Sequence, residues 1–292
     1  MYKLIAIDLD GTLLDSYGEI SNKTMNILKK AVNKGIYVVL ASGRNTISVK
    51  NFAKEIGTKG YIICGNGSNI YDLENKKNIY SRYLDKKKVL QLIKFCDKNS
   101  IYYSINTENS IITKSLNYNV LFYYNENNLK EDEKKAKIQI TSDVYKYVME
   151  RAEEDYLKIN ICDNSDAIFK SIIKKLKKIK GIDVLDVGHM SKKVIKIGTE
   201  ENSIEYFYTE ITKENTNKWG AIEYLINKLG IDKQEVIAIG DNVNDEIMIQ
   251  NAGLGIAMGN SAPKVKKIAD EVTLDNNSDG VAKIIERHIL DE

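Results

Sequence analysis

Leu4-Ile5-Ala6-Ile7-Asp8-Leu9-Asp10-Gly11-Thr12 decides how the rest of the chain reads. Four apolar residues in a row, cut off by an Asp-x-Asp-Gly turn, read as a short strand buried on both faces. Such a strand delivers two carboxylates where it ends. The next segments follow the same plan. Ser21 is positioned to cap a helix whose apolar face is Met25, Leu28 and Val32, stopped by Gly35. The strand Ile36 to Ala41 runs into Ser42-Gly43-Arg44, and a helix bearing Val49, Phe52 and Ile56 follows. Tyr61 to Cys64 is the next strand, ending in Gly65-Asn66-Gly67. This β-α-β-α-β order implies a parallel sheet with crossover helices.

The end of the chain repeats the rhythm. Trp219, Ile222, Leu225 and Leu229 form a helix face closed by Gly230, and the strand Val236 to Ile239 runs into Gly240-Asp241-Asn242. Gly255 to Met258 and Val272 to Leu274 read as strands, with a helix starting near Ser261 and Pro263 and a last one over Val281 to Leu290. The middle reads differently. It opens with a helix through Val89, Leu92, Ile93 and Cys96. Strands are expected at Tyr102 to Ile105, Ser110 to Thr113, Leu157 to Cys162, Ile182 to Val187 and Val194 to Ile197, around a long helix over Ala167 to Lys180. Asn125 to Asn128 read as a turn. The expected organisation is an α/β core from residues 1–82 and 204–292, with an α+β domain at 83–203 inserted into it. The first hinge is placed near Arg82 to Leu84 and the second in Gly198 to Glu205.

With 292 residues the chain has length for two domains and a sizeable core. Hydrophobic residues are 43% and charged residues 29%, a balance that argues against disorder. Lys plus Arg is 43 against 41 for Asp plus Glu, so composition gives no case for nucleic acid or an anionic membrane as partner. The run Lys174-Lys175-Leu176-Lys177-Lys178 reads as a solvated helix face. Cys64, Cys96 and Cys162 are odd in number and match no zinc spacing, so reduced, buried thiols in a cytoplasmic protein are expected. The first apolar run is cut short by Asp8 with no small-residue cleavage site after it, so a signal peptide is not expected, and no apolar run approaches about 18 residues.

Candidate chemistry gathers at strand ends and helix starts, where open α/β sheets bind ligands. Asp8 and Asp10 offer a nucleophile or metal ligand and a separate acid/base. Gly240-Asp241-Asn242-Val243-Asn244-Asp245 adds two carboxylates and an amide at another strand end. Gathering Asp8, Asp10, Asp241 and Asp245 calls for a neutralising cation. Oxygen donors without His or Cys point to Mg2+ rather than zinc, and neither acidic cluster has the spacing of a calcium-binding EF-hand. Ser42-Gly43, a hydroxyl with backbone N–H groups before a helix, suits a phosphate oxygen but equally suits a plain cap. Lys218, at the start of the Trp219 helix, is unremarkable by itself.

Taken in order, Asp-x-Asp, Ser42, Lys218 and Gly-Asp-x-x-Asn-Asp resemble the motifs of the haloacid dehalogenase-like (HAD) superfamily, closest to the Cof-like subfamily IIB phosphatases. Leu40 to Arg44, Gly65 to Ser68, Ala257 to Asn260 and Asp279 to Ala282 look like that family as well. Ser42 lies 34 residues after Asp8, whereas 176 separate it from Lys218, so the insert falls between the second and third motifs. The resemblance implies a Rossmann-like parallel-sheet α/β core with an inserted α+β cap of the C2 type, acting as a lid. It implies hydrolysis of a small phosphomonoester, a sugar phosphate or phosphorylated cofactor. Asp8 would be the nucleophile that becomes an aspartyl phosphate and Asp10 the acid/base. Mg2+ would be held by Asp8, Asp241 and the backbone carbonyl of Asp10. Ser42, Gly43, Lys218 and Asn244 would bind the phosphoryl oxygens, with Asp245 orienting Lys218 or a metal-bound water. Arg44 and Asn66 are supporting or substrate-facing candidates.

Two other readings stay open: a phosphomutase or phosphotransferase on the same fold, and a non-catalytic protein that binds a phosphometabolite. Nine of the 18 tyrosines lie between residues 83 and 156, and His189 lies further on in the inserted domain. Packing explains the tyrosines better than ligand stacking, and a structural role suits His189 and His288. Gly253 to Gly259 lacks dinucleotide spacing, and no nucleoside-triphosphate loop or Gly-x-Ser-x-Gly occurs. The expected partner is a small phosphorylated metabolite, with no nucleic acid or membrane. A monomer or a weak homo-oligomer, paired through an apolar strand edge of the cap, is expected.

Overall fold

The computed structural model describes residues 1–127, 135, 137–152, 154–185, 191–197 and 200–290. His189 lies outside them. The chain divides into two compact units, Met1–Ser81 with Thr216–Glu292, and Arg82–Asn215.

The first unit starts with β1 (Leu4–Ile7), α1 (Asn22–Asn33), β2 (Tyr37–Ala41), α2 (Thr46–Ile56), β3 (Tyr61–Cys64), β4 (Asn69–Asp72) and β5 (Lys77–Ser81). Every residue of β1 is buried, as its unbroken apolar run requires. Ser21 caps α1 by accepting from the Thr24 N–H, and Asn45 caps α2 by accepting from the Ser48 N–H. Gly57 closes α2 in the left-handed conformation.

In the second unit come α3 (Lys86–Lys98), β6 (Tyr102–Thr107), β7 (Ser110–Thr113), α4 (Tyr118–Asn127), β8 (Lys137–Ile140) and α5 (Val144–Glu150). They are followed by β9 (Tyr156–Asp163), α6 (Asp166–Leu176), β10 (Ile182–Val184), β11 (Ser191–Ile197) and β12 (Glu200–Lys213). The sheet runs β10-β12-β9-β6-β7-β8, with β11 also paired to β12. Only β7 and β8 among these pairs run parallel. One face buries Ile105, Ile159, Ile161 and Ile211 against Val89, Leu92 and Ile93 of α3, Val144 and Val148 of α5, and Ile172 and Leu176 of α6. Full burial of each such aliphatic side chain contributes roughly 1.5–3 kcal/mol. Lys174, Lys175, Lys177 and Lys178 are exposed, as a solvated helix face requires.

The chain then returns to the first unit through α7 (Lys218–Leu229), β13 (Val236–Gly240), α8 (Glu246–Asn251), β14 (Leu254–Ala257), α9 (Pro263–Ile268), β15 (Glu271–Val272) and α10 (Gly280–Ile285). Its sheet has the order β15-β14-β13-β1-β2-β3-β4-β5. Pairing is parallel from β15 to β3.

Several expectations need correction. The first unit's sheet is not parallel throughout, because β4 and β5 form an antiparallel hairpin on its edge. The boundary at 203/204 falls inside β12. Phe207–Ile211 pair with β9 and Ile211–Lys213 with β10, so the chain leaves the inserted unit only after Asn215. Asn125 to Asn127 belong to α4 rather than a turn. The helix expected to reach Lys180 ends at Leu176, followed by a tight turn into Gly181 at φ +80°. The last helix widens at Glu286–Leu290 into a π turn. All three cysteines are buried and form no disulfide. Among the described residues no helix is long and apolar enough to cross a membrane.

Candidate active site

Register gathers the candidate residues at one sheet edge. Ile7 of β1 lies opposite Ile239 of β13 and Leu40 of β2, and Ala41 lies opposite Ile63 of β3. Asp8, Asp241, Ser42 and the Gly65-Asn66-Gly67 loop therefore follow neighbouring parallel strands, beyond their carboxyl ends.

Lys218 enters from the side as the first residue of α7, whose cap Asn217 accepts from the Gly220 N–H (2.9 Å). Its side chain is 0% exposed, and its Nζ donates to Asp8 Oδ1 (2.5 Å) and Asp245 Oδ1 (2.6 Å). Asp245 Oδ2 accepts from the backbone N–H groups of Asp241 and Asn242, both at 3.0 Å. Asp245 thus fixes Lys218 with one oxygen and the Asp241 loop with the other. Asp241 is steadied by Thr12, whose hydroxyl donates to its Oδ1 (3.0 Å).

One oxygen each from Asp8, Asp241 and Asp245 lies within 4.8 Å of the others. Burial pushes the Asp8 carboxyl well above the ordinary range; Lys218 works against this, and Asp245, Asp241 and Asp10 add to it. Burial, then Asp245, pushes Asp241 up to about 7, with the Thr12 hydrogen bond and Lys218 opposing. For Lys218, burial acts to lower the pKa, but Asp245 and Asp8 outweigh it and hold the ammonium charged. One ammonium facing this concentration of carboxylates leaves negative charge to be neutralised. The donors in the group are all oxygen, which fits a hard divalent cation such as Mg2+.

Asp10 behaves differently from the other acids. Its carboxylate faces Arg44, which donates from Nε (2.8 Å) and Nη2 (2.6 Å) in a two-pronged pair. Arg44 is buried, reaches Ser48 Oγ (3.3 Å), and lies over the Phe52 ring at 5.4 Å. The expected four-carboxylate cluster is therefore three carboxylates, with Asp10 neutralised by an arginine. Ser42 is fully buried, and its Oγ accepts from the Arg44 N–H (3.1 Å). Gly43 stands between them in the loop before α2. Asn66, left-handed at φ +60°, donates its N–H to the Ser42 carbonyl (3.0 Å) and accepts from Asn244 Nδ2 (3.0 Å).

Two glycines permit the close approach of these loops. A Cβ on Gly11 (φ +84°) would lie 2.5 Å from Asp241 Oδ2, and one on Gly67 (φ +95°) would lie 2.1 Å from the Asn217 carbonyl oxygen. Gly67→Ala should therefore displace the start of α7, and Lys218 with it. A loss of about 2 kcal/mol or more is expected from the left-handed strain and the overlap. The expected result is a thermal midpoint lowered by several degrees and slower turnover; an unchanged midpoint and rate would remove the packing role assigned to Gly67.

Three contacts lie outside what the sequence signalled: Thr12 to Asp241, Arg44 to Asp10 and Asn66 to Asn244. Thr12 sits inside the Asp-x-Asp-Gly-Thr run, so its place in the motif was the available cue. Arg44 and Asn66 were candidates in the sequence, but their pairing with Asp10 and Asn244 joins separate loops and left no local trace.

A family model described as haloacid dehalogenase-like hydrolase matches residues 5–285. Phosphatase YwpJ of Bacillus subtilis is 30% identical over 301 residues, covering 99% of this chain and 100% of that protein. The 5-amino-6-(5-phospho-D-ribitylamino)uracil phosphatase YcsE of the same organism is 27% identical, covering 99% of this chain and 96% of that protein. Two solved haloacid dehalogenase-like hydrolases each cover 98% of this chain and are covered to 99% themselves. The one from Bacteroides thetaiotaomicron has a TM-score of 0.77 at 30% identity, and the one from B. subtilis a TM-score of 0.80 at 26%.

Proposed function

Because the chain belongs to the haloacid dehalogenase-like hydrolase family, we propose that it is a Mg2+-dependent phosphatase of small phosphomonoesters, working through an aspartyl phosphate on Asp8. The observation that carries this reading is the buried Lys218 bridging Asp8 and Asp245 beside Asp241. A protein that only binds phosphate has no need of a carboxylate positioned this way.

In the first step an Asp8 oxygen attacks phosphorus in line and the ester P–O bond breaks. Asp10 gives a proton to the departing alkoxide. In the second step water attacks phosphorus, Asp10 takes a proton from it, and the bond from Asp8 to phosphorus breaks to release phosphate. Asp10 must give up at least part of its pair with Arg44 to handle that proton. Lys218, with Ser42, Gly43 and Asn244, would hold the phosphoryl oxygens; Asp245 positions Lys218. Asp8, Asp241 and the Asp10 carbonyl would hold Mg2+, which supplies charge neutralisation for an anionic substrate meeting a carboxylate. The inserted unit, proposed as residues 82–215, would carry leaving-group specificity. One relative's name gives a phosphorylated ribitylamino-uracil as its substrate, which supports a phosphorylated polyol or cofactor precursor as the class to test.

The test is phosphate release from p-nitrophenyl phosphate and from panels of sugar, polyol and cofactor phosphates, with Mg2+ or with EDTA. Release that needs Mg2+ and is lost in EDTA is expected. No release from any compound by folded, Mg2+-loaded protein would overturn the reading in favour of a binding protein.

A further inference from the structure

Charge is unevenly divided along the chain. Asp85–Lys98 and Asp166–Lys180, which are α3 with its cap and α6 with the turn after it, hold eleven lysines and no arginine. Against them stand three acids, Asp85, Asp97 and Asp166. The excess of eight positive charges compares with a net +2 for the whole chain, so the remainder is acidic. Whole-chain composition, which gives no case for an anionic partner, conceals this.

The two helices pack on the same face of the inserted unit's sheet, and their side chains meet. Lys88 Nζ donates to the Lys180 carbonyl and Lys175 Nζ to Asn99 Oδ1, both at 2.8 Å. Nine of the eleven lysines are exposed, so the outer side of this layer is one basic surface. Little of that charge is neutralised within the layer. Lys170 pairs with Asp166 (2.7 Å), but Asp97 is taken by Lys114 from outside it (2.6 Å). Among the described residues Lys87, Lys98, Lys174, Lys178 and Lys180 meet no carboxylate. A helical turn of about 5.4 Å is shorter than the Debye length of about 8–10 Å, so these ammonium groups repel one another. An anionic partner removes that cost.

Apolar side chains stand out on the same layer. Ile168 of α6 is 50% exposed and Met149 of α5 is 48% exposed. Lys86 ties α5 to α3, its Nζ donating to the Met149 carbonyl (2.9 Å).

We propose that this helical layer docks on a membrane surface rich in anionic phospholipid. Lysine is a hydrated point charge without the fork that grips one phosphate, which suits diffuse attraction to many headgroups. Ile168 and Met149 supply the apolar contribution that interfacial binding draws on besides charge. A nucleic acid fits less well, because the rings of the layer are already covered. Phe169 is buried, and Lys94 and Arg151 lie over Tyr145 (4.7 Å) and Tyr147 (4.5 Å), leaving no open platform for bases. This surface owes nothing to the hydrolytic site, so it stands or falls apart from the phosphatase reading.

The test is co-sedimentation of the full-length protein with vesicles of phosphatidylcholine alone, and of phosphatidylcholine mixed with phosphatidylglycerol, at low and at high salt. Binding is expected with the mixed vesicles alone, and is lost at high salt. Each lysine near such a surface contributes roughly fivefold. Changing Lys87, Lys98, Lys174, Lys178 and Lys180 together to Gln should therefore weaken binding by about a hundredfold or more. The matched control changes Lys29, Lys30, Lys54, Lys59 and Lys228, all exposed on the other unit, to Gln. It has the same net charge and should bind as the parent does. The parent's own salt and lipid dependence tests the proposal without any variant. Retention on mixed vesicles against RNA at equal phosphate concentration supports it. No binding, equal binding to neutral vesicles, binding that survives high salt, or an equal loss in the control variant overturns it. Transfer to the RNA overturns it too, and makes a nucleic acid the partner.

Discussion

Asp8→Asn should abolish phosphate release, with a fall of about four orders of magnitude or more in kcat. Asparagine has the same shape as aspartate but no anionic oxygen to attack phosphorus. The fold should survive the change, because Asp8 is a buried carboxyl whose ionisation burial disfavours. Lys218 keeps Asp245 as its charged partner. The measurement is steady-state phosphate release alongside thermal unfolding. A folded variant retaining more than about 1% of parental kcat would remove Asp8 from the role of nucleophile.

Lys218→Met carries the second large effect, and it acts on stability as well as rate. The ammonium sits in a fully buried position between two carboxylates, so removing it leaves buried negative charge without its partner. Breaking a buried pair from one side costs about 3–5 kcal/mol. Losing a preorganised cation from the phosphoryl site should lower kcat by a further thousandfold or so. The pH dependence has a definite sign. The folded-state pKa of Asp8 is already raised above its ordinary 3.8, chiefly by burial, and Lys218 is the main influence lowering it. In the variant that pKa rises further. A carboxyl with a raised folded pKa contributes most stability below the unfolded value, and loses that contribution as pH rises toward the folded one. In EDTA, the thermal midpoint of Lys218→Met should therefore fall more steeply than that of the parent as pH is raised above about 4. A parental midpoint, or a variant that gains stability relative to the parent as pH rises, would contradict this arrangement of charges.

The parts of the molecule legible in the sequence are those whose signal is local. Leu4 to Ile7 had to be a buried strand because no alternation interrupts the apolar run, and Asp8 and Asp10 followed from where it stops. Asp241 and Asp245 were legible for the same reason at the end of β13, whereas Lys218, unremarkable by itself at a helix start, stood out only through the ordered set of motifs. What the sequence hid depends on distant partners. Glu200–Lys213 mixes Glu, Asn, Ser, Thr and Tyr with only Ile204, Phe207 and Ile211 as aliphatic or phenyl cues. Its strand character comes from pairing with β9, β10 and β11, which is why the second boundary was placed too early. The β4–β5 hairpin is similar: Asn69 and Asp72 look like loop residues, yet both are buried, and Asn69 donates to Thr46 and Asn78. At the site, the carboxylates could be counted but not paired. That Asp10 would face Arg44, while Asp245 faced Lys218, was decided by loops 34 and 27 residues apart in sequence.

The stereochemical course at phosphorus tests the central claim most directly. A phosphorothioate monoester made chiral at phosphorus with two oxygen isotopes would be hydrolysed in water carrying the third, and the configuration of the released inorganic thiophosphate determined. Transfer first to Asp8 and then to water makes two in-line displacements, so the configuration should be retained. Inversion would mean that water attacks the substrate directly, and that Asp8 is no nucleophile.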